Sequence, residues 1–174
     1  MRAIYILFIG LMFACSNSNF EQEQIKINEL IAEYDNLFIS VENTDISSAS
    51  INLKRYKKSL EYSQSKLSTE KKPNLKTMTF LNDMKLMKRQ FRNAPRQKKG
   101  FVTNIIRNQE QLENLHNDID NSIFNKEEIN AIITRETQAY EALSTEIKEF
   151  QIAYPSYVAR FDSLYNLTET FNYE

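Results

Sequence analysis

The side chains best suited to chemistry in this 174-residue chain are one histidine, one cysteine and a few closely spaced acids. His116 follows Glu113 at Glu-x-x-His spacing, which puts a carboxylate and an imidazole on one helical face, an arrangement that di-iron bundles use. Such a site needs a second Glu-x-x-His and two more glutamates, and no second histidine exists. A solvated helix face beside Asn117 and Asp118 is the simpler place for His116. His116 as the base of a Ser-His-Asp triad would need a serine on a strained elbow, and the chain has no Gly-x-Ser-x-Gly. Glu127 and Glu128 are adjacent, so on a helix they point in different directions and cannot share a substrate. They fit better as first-turn acids favoured by the helix dipole. The single Cys15 excludes an intrachain disulfide and a Cys-x-x-Cys zinc site. The two glycines, Gly10 and Gly100, lie too far apart for a phosphate-cradling loop. No catalytic residue, metal site or cofactor is therefore expected.

Charge is the second kind of chemistry. The net charge is −1, but its distribution is uneven. Residues 54–107 hold sixteen Lys or Arg against Glu61, Glu70 and Asp83, a net of +13. Residues 20–53 carry one Lys against seven acids, a net of −6, and residues 108–174 carry four bases against thirteen acids, a net of −9. Basic middle helices packed beside acidic flanking ones would pair internally, helping to choose neighbours rather than adding much stability. That pairing is expected for the helical parts of the basic region. Alternatively, Lys88, Arg89, Arg92, Arg96, Lys98 and Lys99 form a cationic patch for an anionic partner. The segment 93–99, read as a loop without an apolar seam, is where solvent-facing bases are expected. Glu136 sits on an apolar seam, where an acid would set register or pair with a basic residue of the middle helices.

Nine tyrosines and eleven phenylalanines fall mostly at core spacing. Tyr140, Phe150, Tyr154, Tyr157, Phe161, Tyr165 and Phe171 crowd the C-terminal part. Core filling is the plain reading, and an aromatic cleft for a small ligand, lipid or glycan is the alternative.

The elements that must carry these residues are helices. Ile27, Ile31, Tyr34, Phe38 and Val41 step by 4 and 3. So do Leu53, Tyr56, Leu60 and Leu67 (with Ser63 between), then Phe80, Met84, Met87 and Phe91. Phe101, Ile105, Leu112, Leu115 and Ile119 repeat the pattern with a gap at Asn108. From Ile129 to Phe171 thirteen positions alternate steps of 4 and 3, and eleven are apolar or aromatic. That is a coiled-coil-like seam. Pro155 should kink this last helix without changing the phase of the seam. Breaks are expected near 43–50, 68–73, 93–99 and 120–126, with Pro73 and Pro95 in first turns and Asn125 and Glu128 as a capping box. Short connections favour antiparallel neighbours. The fold class is all-α: an antiparallel bundle of four to five helices over residues 25–174, with a long, Pro-kinked C-terminal helix.

The N-terminus carries the one specific motif. Arg2 precedes twelve uncharged, mostly apolar residues, the length of a signal-peptide core and too short to span a bilayer. The run ends in Met12-Phe13-Ala14-Cys15, which resembles the lipobox of bacterial lipoproteins. The resemblance implies removal of residues 1–14, lipidation of Cys15 and acylation of its new amino terminus. Several acyl chains anchor stably where one is marginal. Residues 15–24 then read as a polar tether. The whole is similar to small helical lipoproteins of Bacteroidota. The expected place is the bacterial envelope, at the outer membrane facing the periplasm. The expected role is a non-enzymatic interaction or structural one. Its partners would be the membrane, through Cys15, and an anionic envelope component or another envelope protein, with no nucleic acid.

Overall fold

The computed structural model describes residues 20–67, 75–121 and 123–170. The expected signal segment 1–14, Cys15, most of the expected tether, the break expected at 68–73 with Pro73, and Phe171 lie outside the described residues.

Four helices carry the described residues: α1 (Glu21–Glu42), α2 (Ser48–Leu67), α3 (Leu75–Asp120) and α4 (Lys126–Thr170). Side-chain pairs fix their directions. Gln24 donates to Asp120 at 2.6 Å and Gln109 to Asp35 at 2.7 Å, so α1 runs antiparallel to α3. Gln151 of α4 reaches Ser40 near the end of α1, and Arg55 of α2 reaches Asp162 farther along α4, so α1 and α2 both run parallel to α4. Arg160 meets Asp83 at 2.8 Å, which sets α3 and α4 antiparallel. The result is an up-down-up bundle of three columns. The first column is a helix broken at residues 43–47, and the other two are single helices of 46 and 45 residues. At 1.5 Å per residue, each long helix extends about 68 Å.

The broken column divides the interior into two cores. Ile27, Leu30, Tyr34, Leu37 and Val41 pack with Phe101 to Ile119 of α3 and Ile129 to Ile147 of α4. Ala49 and Tyr56 pack with Met84 to Ala94 of α3 and with Tyr154 and Phe161 of α4. Phe150 touches both clusters. Each column faces the other two, so its apolar stripe is wide. In α1 the buried apolar positions are 27, 30, 34, 37 and 41, while Ile31 and Phe38 pack at the edge. In α2 the buried line is Ala49, Asn52, Tyr56 and Ser59, with Leu53 and Leu60 half-buried beside it.

The expected break at 93–99 is absent. The third and fourth sequence stretches are one helix, and Pro95 lies inside it. The reason is visible in the seam. Met84, Met87, Phe91, Ala94, Lys98, Phe101 and Ile105 continue steps of 3 and 4 across the proline, and the apolar members are buried. Pro95 itself is solvent-exposed, so its ring does not enter the core. It removes one intrahelical hydrogen bond, and burial on both sides offsets that loss. Pro155 is likewise exposed and inside α4. The capping box forms as read: the Asn125 backbone N–H donates to Glu128 Oε2 and the Glu128 N–H to Asn125 Oδ1, both at 3.0 Å.

Candidate functional site

The joint at 43–47 organises the surface around it. An interrupted helix exposes carbonyls at its C-terminus and carries partial negative charge there. Lys98 Nζ of α3 donates to the carbonyls of Glu42 at 2.7 Å and Thr44 at 3.2 Å, and lies 4.0 Å from the Glu42 carboxylate. From α4, Gln151 donates to the Ser40 carbonyl at 3.1 Å, the Ser40 hydroxyl at 2.8 Å and the Thr44 hydroxyl at 2.9 Å. The Ser47 N–H donates to Asp45, whose carboxyl those hydrogen bonds hold below the usual carboxylate range. Tyr154 and Ser48 share a 2.9 Å hydrogen bond at the start of α2. Burial raises the Tyr154 hydroxyl above its ordinary value. Both long helices thus hold the broken column in line.

That geometry sorts the six sequence candidates. Lys98 is on the core seam and half-buried, committed to the end of α1. The loop expected to free it does not exist. Lys88, Arg89, Arg92, Arg96 and Lys99 all lie exposed on the outer arc of α3, together with Lys85. Lys85, Arg89, Arg92, Arg96 and Lys99 step by 4 and 3 and so share one face over about 21 Å of helix, with Lys88 at its edge. Lys88 Nζ stands 5.1 Å from the centre of the Tyr56 ring of α2, a cation–π contact at one edge of the stripe. Among the described residues, Arg89, Arg92, Arg96 and Lys99 make no ion pair or side-chain hydrogen bond. The described bases of 54–107 that do meet acids are Arg55, at 2.5 Å from Asp162, and Lys98. Arg55 also lies over the Tyr165 ring at 4.2 Å and the Phe161 ring at 5.3 Å, so aromatic packing fixes it as well. Internal pairing therefore accounts for Arg55 and for Lys98 and not for the exposed bases on either side of Lys98.

The remaining candidates fall where packing explains them. His116 Nδ1 is 3.5 Å from Asp120 on the same helix, while Glu113 is exposed. Glu136 is buried, but its carboxylate meets the adjacent Arg135 at 3.3 Å rather than a base of the middle helices. Near it, Asn108 donates to the Tyr34 hydroxyl at 2.9 Å within the first core. Burial first, and the Glu136 charge in addition, raise the Tyr34 hydroxyl above its ordinary value. Among the described residues no group of three or more His, Cys, Asp or Glu could hold a metal ion. No described helix is long and apolar enough to cross a membrane.

A groove that the sequence did not locate opens between α3 and α4 at the junction of the two cores. It encloses about 530 Å3. Gly100 and Ala153 lie on opposite walls, and an added Cβ at Gly100 would meet nothing within 4 Å. The two smallest residues of the lining thus stand on either side of the gap. Phe101 and Phe150 cross edge-to-face at 5.6 Å beneath it. The aromatic crowding was visible in the chain. The gap depends on which residue of α3 faces Ala153, and only tertiary packing sets that.

No family model, curated protein or solved structure matches this chain.

Proposed function

We propose that this protein is a non-enzymatic, lipid-anchored component of a bacterial envelope whose α3 face docks onto an anionic partner. The observation that carries the docking part is the exposed outer stripe of Lys85, Arg89, Arg92, Arg96 and Lys99, which form no ion pair among the described residues. Like charges at i,i+3 and i,i+4 repel one another, so such a stripe disfavours the isolated helix. A partner with phosphate or carboxylate groups relieves that repulsion and converts it into affinity. Arginine suits this role because its planar fork grips both kinds of oxyanion bidentately. The anchoring part rests on Met12-Phe13-Ala14-Cys15 after the short apolar run. In this reading Cys15 carries the acyl chains at the outer membrane, the bundle faces the periplasm, and Pro155 bends α4 around the second core.

Two measurements test the two parts separately. Cys15→Ala should abolish incorporation of labelled fatty acid and move the protein from membrane to soluble fractions, and retained membrane attachment would remove the anchor. A soluble form starting at Phe20 should co-sediment with vesicles containing phosphatidylglycerol, and an Arg92→Glu/Arg96→Glu/Lys99→Glu form should not. Equal sedimentation of the two would remove the docking face.

A further inference from the structure

We propose that the groove between α3 and α4 binds an extended aliphatic polyamine. Gln90, Gln97 and Asn104 form one wall, at steps of seven along α3. Glu146 and Glu149 stand on the other, one helical turn apart. Both acids are exposed and, among the described residues, neither has an ion pair. No basic side chain lines the groove, although α3 carries a basic stripe on its adjoining face. The lining therefore repels anions and leaves two carboxylates ready for ammonium groups. The side chains of Phe150 and Tyr157 are half-buried at the groove and offer aromatic surface to methylene segments and to a nearby cation. The amides of the α3 wall both donate and accept, so they accommodate an amine hydrogen.

Shape points the same way. Wall residues run from Gln90 to Asn104 on α3 and from Glu146 to Tyr157 on α4, so the groove is about 16–21 Å long at helical rise. A cleft of this length and volume suits a narrow linear chain better than a compact ring system. It lies within the size range of small-molecule sites. Gly100 lines it, and an added Cβ there meets nothing within 4 Å, so a larger side chain has room beside the groove.

Isothermal titration of the folded protein with spermidine at low salt tests the assignment. Saturable one-to-one binding is expected. Gly100→Phe should weaken it at least tenfold while leaving the circular dichroism melt in place, because the new ring enters empty space. Glu146→Gln/Glu149→Gln, at exposed positions, should weaken it at least tenfold without filling the groove. An uncharged polyether of the same length should not bind. Absence of saturable spermidine binding would overturn the proposal. So would unchanged affinity in folded Gly100→Phe, unchanged affinity in the double glutamine variant, or equal binding of the polyether.

Discussion

At the scale of single residues, the side chains that look chemical in the sequence are mostly structural, and the informative ones are those whose partners are wrong for an ordinary surface. Glu23 is 2% exposed, in the first turn of α1, and Lys126 approaches its Oε1 at 3.3 Å, while Oε2 accepts no hydrogen bond within 3.5 Å among the described residues. Burial pushes this carboxyl up, but its own backbone N–H, Lys126 and Asn130 outweigh that and hold it below its ordinary value of 4.5. A depressed carboxyl stabilises the fold fully above its unfolded value, and the contribution is lost as pH falls through the folded one. Melting temperatures from pH 7 to pH 3 should therefore show Glu23→Gln less stable than the parent near neutrality, with the gap closing below about pH 4.5. A gap that is the same at both ends would mean that the charge of Glu23 contributes nothing. Lys98 teaches the complementary lesson. It reads as one cation among six in the sequence, yet its ammonium closes the end of α1. Nothing local to residue 98 reveals that, because the carbonyls it serves are 54 and 56 residues away.

At the scale of elements, the 129–168 seam was legible almost position by position. Ile129, Ile133, Leu143, Ile147, Tyr154, Phe161 and Thr168 are buried, and Glu136 with them. The capping box at Asn125 was legible too, since its hydrogen bonds span three residues. The continuity of α3 was not. Pro95 and the polar residues around it suggest a break when weighed locally, and the winning term is the burial of Phe91, Ala94 and Phe101 on either side. Pro95 being exposed, Pro95→Ala should restore the missing donor and raise stability, by up to about 3 kcal/mol from the cost of an interior proline. Chemical denaturation checks this. A loss of stability in Pro95→Ala would show that the proline fits a local geometry that alanine cannot replace.

At the scale of the whole molecule, the breaking of one column and the continuity of the other two decide the architecture. The long helices bind two cores into one bundle, and Phe161, Phe91 and Tyr154 form the aromatic centre of the second. Phe91 crosses Phe161 edge-to-face at 5.2 Å and Tyr154 at 6.3 Å. Phe161 is fully buried, so Phe161→Ala should cost about 3–5 kcal/mol in urea unfolding, whereas a cost below about 1 kcal/mol would mean that the site collapses around the lost ring. The same architecture leaves charge on opposite terms at two neighbouring faces. The outer arc of α3 carries bases with no described partner, and the α4 wall of the groove carries acids with none. Segregated charge was legible in the chain. Whether it was spent inside the fold was not, because that depends on where the acids of α1 and α4 end up.

The stripe on α3 is the feature on which the functional account stands, and the salt dependence of anion binding tests it most directly. Exposed charges are screened within about 10 Å at ~0.1 M ionic strength and about 3 Å at ~1 M. Affinity of the Phe20–Glu174 protein for phosphatidylglycerol vesicles should therefore fall steeply between these salt concentrations. The Arg92→Glu/Arg96→Glu/Lys99→Glu form should bind weakly at both. Binding that is indifferent to salt, or that survives reversal of these three charges, would contradict the account.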